Sequence, residues 1–202
     1  KEVEGLNLHT LHIDKLTVSE FPLGFEYFKT LTLLNMQYSS FFTLPDAVGL
    51  LPLRNIFAKE NAFTQFPPAL NACTTLTHVD FSFNKLVNFP RHLQSVKLHT
   101  LSLNHNEIDS IPDEVGIYTS LKKLAFAYNN VMYLSDSIGL CAELHYLKMN
   151  NNSLSVLPYT IGNLQELDSL ICYDNKLSIL PPTITNLTTL ETISLNRNQL
   201  CN

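Results

Sequence analysis

The sequence predicts an α/β solenoid, a right-handed stack of short parallel strands joined by turns or short helices. Three observations predict it. One pattern of apolar residues with a fixed asparagine recurs every 22 or 23 residues from Leu8 to Leu200. Near the start of each copy the apolar residues alternate with polar ones, which is the pattern of a half-buried strand. Most copies end in proline, followed in several by a valine-glycine or isoleucine-glycine pair. Such a period is typical of proteins whose units pack only on their neighbours.

The copy from Leu98 to Pro112 shows the pattern most clearly. Its positions are Leu98, Leu101, Leu103, Asn106, Ile108, Ile111 and Pro112. In the same register we count nine copies and treat residues 1–202 as one elongated domain, with copies that begin at residues 8, 31, 53, 76, 98, 121, 144, 167 and 190. Solenoids need polar elements that cover their ends. The sequence carries no clear terminal caps, so we expect a segment of a longer protein.

Each copy is expected to supply one strand, one turn and one returning arm. The stretch around Leu101 to Leu103 predicts the strand, and stacked strands form a parallel sheet that no single copy could sustain. The arm begins at the proline and carries an apolar residue three positions on, and glycine follows it in four copies: Gly49, Gly116, Gly139 and Gly162. This pattern predicts a helical or tight-turn arm. Because arms are wider than strands, we expect the stack to curve, with the sheet on the concave side.

The fixed asparagine predicts a ladder of hydrogen bonds where the strands end. A buried amide can donate to and accept from loop backbone in an otherwise apolar interior. Leu16 and Ser39 replace it in the first two copies, where we expect irregular packing. The predicted ladder consists of Asn61, Asn84, Asn106, Asn129, Asn152, Asn175 and Asn198.

The pattern L-x-x-L-x-L-x-x-N-x-L-x-x-L-P, as in Leu98 to Pro112, resembles that of the leucine-rich repeat family. The resemblance covers essentially the whole chain in nine registered copies. The repeat length and the segment after the proline are similar to those of the typical intracellular and bacterial subclasses. These include phosphatase regulators, Ras-scaffold proteins and effectors that bacterial pathogens inject. The resemblance implies a horseshoe with a concave parallel sheet.

Composition argues against several classes of function. The net charge of -5 and the pI near 5.8 offer no basic stripe for nucleic acid. No apolar run approaches the roughly 20 residues that span a bilayer, so we expect no membrane insertion. No glycine-rich phosphate-binding motif is present, and we expect no cofactor and no small-molecule substrate. We also expect no metal, because the strand geometry should separate His9 from His12 and His99 from His105.

The cysteines indicate free thiols and a cytoplasmic location. Cys73 and Cys141 fall on returning arms, and Cys172 takes a core slot, where a reactive thiolate is not expected. None of the four cysteines is clustered at an end, as disulfide-capped extracellular repeats would require. Ten lysines against three arginines fit an AT-rich genome. An injected bacterial effector that works in host cytosol is therefore one hypothesis.

The concave face carries the predicted binding site. One column along it reads Lys15, Tyr38, Glu60, Phe83, His105, Tyr128, Asn151, Asp174 and Arg197. Aromatic residues on an exposed surface are typical of protein interfaces, although sideways stacking that stabilises the sheet is the alternative explanation. We favour binding, with Phe83, His105 and Tyr128 on consecutive strands as its centre. The predicted partner-binding residues are Tyr38, Phe57, Phe83, His105, Tyr128, Tyr146, Lys148, Ile171 and Tyr173.

The sequence therefore predicts a non-enzymatic module that recognises another protein through its concave face. Two alternatives stay open. The chain is the substrate-recognition segment of a larger ligase, phosphatase or kinase whose catalytic domain lies outside these residues, or it is a self-associating spacer. Flanking sequence distinguishes the first alternative, and light scattering at several concentrations distinguishes the second.

Overall fold

The computed structural model describes residues 6–17, 21 and 24–201, and within them one parallel sheet runs the length of the stack. Its nine strands pair in chain order, each with the one before and the one after it in the stack. Each begins two residues after a predicted repeat start, and the bounds are β1 Thr10–His12, β2 Leu33–Asn35, β3 Asn55–Phe57, β4 His78–Asp80, β5 Thr100–Ser102, β7 Lys123–Ala125, β9 Tyr146–Lys148, β10 Ser169–Ile171 and β11 Thr192–Ser194. The predicted solenoid is confirmed.

The returning arms are tight 3₁₀ turns rather than long helices. They span Phe25–Tyr27, Asp46–Leu50, Pro68–Ala72, Asp113–Ile117, Asp136–Leu140, Tyr159–Asn163 and Pro182–Asn186. A second, two-stranded parallel pair, β6 (Ser110–Ile111) with β8 (Tyr133–Leu134), precedes two of these turns. Residues 1–5, 18–20, 22–23 and 202, which include Val18 and Pro22 of the first repeat, lie outside the described residues.

The fourth repeat returns without a 3₁₀ turn in its described arm, which runs from Pro90 to Lys97. A side chain from the next arm takes part of that space. Tyr118 is fully buried, its ring centroid lies 6.2 Å from that of Phe89, and its hydroxyl donates to the carbonyl oxygen of Pro90 at 2.8 Å. Burial raises the pKa of Tyr118 above its ordinary value, so this hydroxyl remains a donor.

The core lies between the sheet and the arms. The central residue of each inner strand points inward and is almost completely buried, as in Val79, Leu101 and Leu147. The arms also pack tightly on one another: a β-carbon added to Gly139 would lie 2.6 Å from Cβ of Thr160 in the next arm. Glycine therefore follows the apolar arm residue because a neighbouring repeat occupies the space of its side chain.

The asparagine side chains form a ladder of hydrogen bonds between repeats. Asn106 is buried; its side-chain oxygen accepts from the backbone N–H of Leu86 at 2.9 Å, and its amide nitrogen donates to the carbonyls of Phe81 and Leu103, both at 3.0 Å. Each asparagine thus connects its own repeat to the preceding one. All seven predicted members repeat this arrangement, including Asn61 and Asn198 near the ends.

In the second repeat Ser39 takes the place of the ladder asparagine and makes fewer hydrogen bonds than an asparagine does. The Ser39 hydroxyl accepts from the backbone N–H of Leu16 at 3.1 Å and donates to the carbonyl of Gln37. A hydroxyl offers one donor where an amide offers two, so it cannot also reach a carbonyl of the preceding repeat. The ladder position therefore gives the first two repeats one hydrogen bond between repeats, where each asparagine gives two.

Candidate protein-binding face

The outer face of the sheet is formed by the first and third residue of each strand, whose side chains point away from the core. The residues two and three positions after each strand lie beside it. We call this whole surface the sheet face. Tyr146 begins β9 and Lys148 ends it, while Phe57 and Ile171 end β3 and β10. All four are half-buried.

The column that contains most of the predicted aromatic residues lies beyond the strands, which corrects the expectation that Phe83, His105 and Tyr128 occupy consecutive strands. They stand three residues after β4, β5 and β7, immediately before the ladder asparagine. Every member of the column has a left-handed backbone, with φ between 50° and 58°: Lys15, Tyr38, Glu60, Phe83, His105, Tyr128, Asn151, Asp174 and Arg197. The chain must turn sharply here so that the next residue can point its amide into the core.

The left-handed backbone of this column is held by hydrogen bonds between repeats. The N–H of Phe83 donates to the carbonyl of Asn104 at 2.8 Å, and the N–H of His105 donates to that of Ala127 at 2.8 Å. A non-glycine residue in this region costs about 1–2 kcal/mol. The same slot holds lysine, glutamate and arginine elsewhere in the chain, so the turn itself does not require an aromatic residue.

Three rings of the column stack face to face. The ring centroids of Phe83 and His105 are 4.0 Å apart with 15° between the planes, and those of His105 and Tyr128 are 4.2 Å apart with 9° between the planes. The stacking alternative is thus realised in the structure. Even so, Phe83 remains 40% exposed and Tyr128 43% exposed, which leaves ring edges open to solvent.

A lysine extends the stack across the one repeat between Tyr38 and Tyr128 that has no ring in this column. Glu60 takes the slot between Tyr38 and Phe83, and the side chain of its neighbour Lys59 fills the gap. The Lys59 ammonium lies 5.4 Å from the Tyr38 ring centroid and 4.9 Å from that of Phe83, which is cation–π geometry on both sides. Its hydrogen bond to the Tyr38 hydroxyl raises the pKa of Lys59. We call Tyr38, Lys59, Phe83, His105 and Tyr128 the aromatic stack.

Partial burial and nearby lysines favour the neutral form of the histidine in the stack. Partial burial lowers the pKa of His105, and the ammonium groups of Lys148 and Lys59 lower it further. A neutral imidazole can stack on its neighbours as an ordinary aromatic ring. The stack therefore presents its cations through lysines at its margin rather than through the histidine.

Beyond Tyr128 the column becomes polar. The amide of Asn151 donates to a carboxylate oxygen of Asp174 at 3.4 Å, and Arg197 pairs with the same oxygen at 3.3 Å. Burial raises the pKa of Tyr173, in the adjacent column, and the nearby Tyr128 hydroxyl raises it further. The sheet face thus changes from aromatic to charged along its length.

The remaining predicted residues do not all join the stack. The Lys123 ammonium lies 5.0 Å from the ring centroid of Tyr146, which forms a third cation–π contact on the same face. Within the described residues Phe57 has no ring partner. The sequence analysis did not include Lys59 in the binding site. The signal that could have identified it is its position directly before Glu60, which interrupts the aromatic residues of the column.

The cysteines and histidines form no further site within the described residues. All four cysteines are free; burial raises the pKa of Cys141 and of Cys172 to about 12, so neither thiol is a ready nucleophile near neutral pH. In that part of the chain no three histidine, cysteine or carboxylate side chains converge in a way that could hold a metal ion. Nor does it contain a helix long and apolar enough to cross a membrane.

Solved structures of other proteins share this architecture. A leucine-rich repeat protein of Leptospira interrogans is 27% identical, with 88% of this chain and 46% of that chain covered, at a TM-score of 0.83. The leucine-rich repeat ectodomain of the membrane receptor kinase GASSHO1/SCHENGEN3 from Arabidopsis thaliana is 30% identical over 96% of this chain and 25% of that one, at 0.85. The chain is a leucine-rich repeat protein.

An internalin from Listeria monocytogenes shows how far this leucine-rich repeat fold is shared at low identity. It is 18% identical, with 99% of this chain and 58% of that chain covered, at a TM-score of 0.82. No protein-family model matches the chain. The leucine-rich repeat chain spans between a quarter and three fifths of the length of these solved chains. The Arabidopsis ectodomain was solved in complex with CASPARIAN STRIP INTEGRITY FACTOR 2.

Proposed function

We propose that this leucine-rich repeat protein is a non-enzymatic recognition module that binds a partner protein through its sheet face, with the aromatic stack as the anchor. The observation that carries the proposal is the placement of four rings in a column whose backbone does not require them, with a lysine ammonium between two of the rings. Exposed aromatic side chains that are already held in place bind at a low cost in conformational entropy.

Stability alone is a weak reason for the stack. A stacked aromatic pair contributes about 0.5–1.5 kcal/mol beyond its buried area. A bulky residue with a left-handed backbone costs about 1–2 kcal/mol, which asparagine bears more easily. The two effects nearly cancel, and Asn151 occupies the same slot one repeat after Tyr128. Rings that bring little net stability yet keep exposed edges are better explained as binding residues.

Charged groups near the stack are suited to setting the register of a partner. Lys59 lies between two rings, Lys123 lies over a third, and Lys148 is close enough to His105 to lower its pKa. Asp174 with Arg197 forms an ion pair at the other end of the face. Complementary charge contributes more to orientation and association rate than to affinity. We therefore expect acidic groups on the partner opposite the three lysines.

A capture experiment with a matched variant tests the proposal. Phe83→Asn/His105→Asn/Tyr128→Asn removes the rings while it installs the residue that the chain itself carries at 151, so the fold should persist by circular dichroism. Tyr27→Asn, at an exposed tyrosine in the first described 3₁₀ turn, is the control. We expect a partner protein that the wild type and the control retain and the triple variant loses. Equal retention by all three contradicts the proposal.

A second candidate function is that this module selects substrates or ligands for a larger enzyme. It is favoured because the chain matches only part of the length of the solved proteins. Only 25% of the GASSHO1/SCHENGEN3 ectodomain is matched, and that ectodomain belongs to a receptor kinase. A catalytic domain in the sequence that flanks residues 1 and 202 would support this candidate. Flanks composed only of further repeats and caps would count against it.

The free thiols support a cytoplasmic site of action, including host cytosol for an injected effector. Cys73, Cys141 and Cys172 are buried and unpaired, as is typical of reducing compartments. Immunofluorescence of the endogenous protein tests the location. Staining confined to the cell surface or the medium would contradict it.

A further inference from the structure

A second apolar surface lies on the side of the stack where the arms begin, away from the sheet face. Between the sixth and eighth repeats the chain forms an open cavity of about 330 Å³. We call it the arm groove. Its lining is mostly apolar and includes Met132, Tyr133, Asp136, Val156, Tyr159 and Ile179. A volume near 300 Å³ is at the lower end of the range for ligand pockets.

The repeat pattern does not account for the exposed residues of the arm groove. Tyr133, Val156 and Ile179 occupy the same slot in three consecutive repeats and are 54%, 55% and 64% exposed. The two preceding repeats carry Asn88 and Ser110 in that slot. The slot therefore tolerates polar residues, and the apolar stripe begins only at the sixth repeat. Contiguous exposed apolar patches of this kind typically mark interaction sites.

Carboxylates border the arm groove at one end. Asp136 lines the groove directly. Tyr133 lines both the groove and an adjoining recess, and the recess also contains Asp113, Glu114 and one cationic side chain, that of Arg91. The Ser135 hydroxyl donates to Asp113 and so holds that carboxylate in place. Within the described residues, none of the three carboxylates belongs to an ion pair. Their carboxylate oxygens are therefore available to a cationic ligand.

We propose that the arm groove binds a short segment of another protein that carries apolar side chains next to lysine or arginine. The apolar side chains would enter the groove between Val156 and Ile179, and the cations would lie against Asp113, Glu114 and Asp136. Charge complementarity selects this occupant. A second copy of this chain, at a net charge of -5, would bring like charge to the carboxylates. An anionic membrane would be repelled in the same way.

The arm groove is independent of the sheet face. None of its lining residues belongs to the aromatic stack or to the sheet-face strands, so both surfaces can be occupied at once. A module with two independent sites can hold two partners, or two parts of one partner, with a gain in apparent affinity from the second contact. Loss of binding at one surface should leave the other unchanged.

Fluorescence polarisation with synthetic peptides tests the proposal. The probes are two matched sets of labelled short peptides with a pair of leucine, isoleucine, phenylalanine or methionine residues, flanked by lysine in one set and by glutamate in the other. We expect members of the lysine set to bind at least about ten-fold more tightly than their glutamate counterparts, with the preference reduced by added salt.

Three variants locate the binding. Val156→Asn/Ile179→Asn installs in the groove a residue that the chain carries in the same slot at 88, and it should weaken lysine-set binding by about ten-fold or more. Glu114→Gln/Asp136→Asn should remove most of the preference for lysine. Leu50→Asn, at a residue that is 82% exposed on a distant arm, should bind as the wild type does. Thermal melting checks that all three fold.

Several results would overturn the proposal. Equal binding of both peptide sets, or no difference between wild type and Val156→Asn/Ile179→Asn, removes the groove as a peptide site. If sedimentation velocity shows dimers for the wild type but not for Val156→Asn/Ile179→Asn, the occupant of the groove is a second copy of the chain. Binding to phosphatidylcholine vesicles that the same variant loses identifies a lipid surface instead. The Phe83→Asn/His105→Asn/Tyr128→Asn variant should bind the lysine set normally.

Discussion

Replacement of Asn129 by leucine tests the contribution of the asparagine ladder to stability. The Asn129 oxygen accepts from the backbone N–H of Ile108 at 3.0 Å, and its amide nitrogen donates to the carbonyls of Leu103 and Phe126, both at 2.9 Å. Leucine has a similar size but makes none of these bonds. The variant therefore removes hydrogen bonds from a buried position without opening a large cavity.

The consequences differ for the donor and the acceptors. Within the described residues, the N–H of Ile108 has no other acceptor, so the variant leaves it buried and unpaired at a cost of about 1–3 kcal/mol. The two carbonyls each keep one amide donor, from Asn106 and Asn152, and lose about 0.5–1.5 kcal/mol each. Burial of the leucine offsets about 1.5–3 kcal/mol. With each range taken at its middle, the net loss of unfolding free energy is about 2 kcal/mol.

Urea unfolding followed by circular dichroism measures this loss. Asn130→Leu is the matched control, because Asn130 is adjacent and exposed and its side chain makes no hydrogen bond in the described structure. We expect the control to stay within about 0.5 kcal/mol of the wild type, as surface substitutions usually do. If Asn129→Leu is as stable as its control, the ladder does not stabilise the stack and the reasoning is refuted.

Three further predictions concern the arms, the core and the sheet face. Gly139→Ala should lower the unfolding free energy by about 1–3 kcal/mol in a thermal melt, because its β-carbon would lie 2.6 Å from that of Thr160. Burial raises the pKa of Cys141 from 9.0 to about 12, so the contribution of this thiol to stability should be constant below about pH 9 and decline above it. The unfolding free energy should therefore fall less steeply above pH 9 in Cys141→Ala than in the wild type. Lys148→Ala should raise the pKa of His105 in an NMR titration and leave the fold intact.

Each of these predictions has a contrary result. An unchanged melting temperature for Gly139→Ala would mean that the arms can separate to admit a methyl group. If the unfolding free energy falls equally steeply above pH 9 in the wild type and in Cys141→Ala, burial does not raise the pKa of Cys141. An unchanged or lowered pKa of His105 would place the Lys148 ammonium too far away to act on the imidazole.

The repeat register, the parallel sheet and the asparagine ladder could be predicted from the sequence because each depends on a local pattern that recurs. Leu101 and Asn106 have the same neighbours in the pattern as Leu124 and Asn129, so one assignment fixes the others. Ser39 shows the limit of this reasoning. The pattern identified it as a break, whereas its hydroxyl still forms a rung with Leu16.

The details of the surface could not be predicted in the same way. The left-handed backbone of Tyr128 results from the turn that sends Asn129 inward, and an alternating pattern does not distinguish that turn from one more strand residue. Lys59 enters the stack because its long side chain reaches sideways into a gap left by a neighbour. The arm groove depends on Val156 and Ile179 lining up across repeats. All three features arise from contacts between repeats.

Hydroxyl-radical footprinting of the complex with a captured partner tests the central proposal most directly, because aromatic side chains react readily and both surfaces carry them. Phe83 and Tyr128 report on the sheet face, while Met132, Tyr133 and Tyr159 report on the arm groove in the same sample. We expect the partner that depends on the stack to reduce oxidation of Phe83 and Tyr128 several-fold. Unchanged oxidation of these two rings in the complex would contradict recognition through the sheet face.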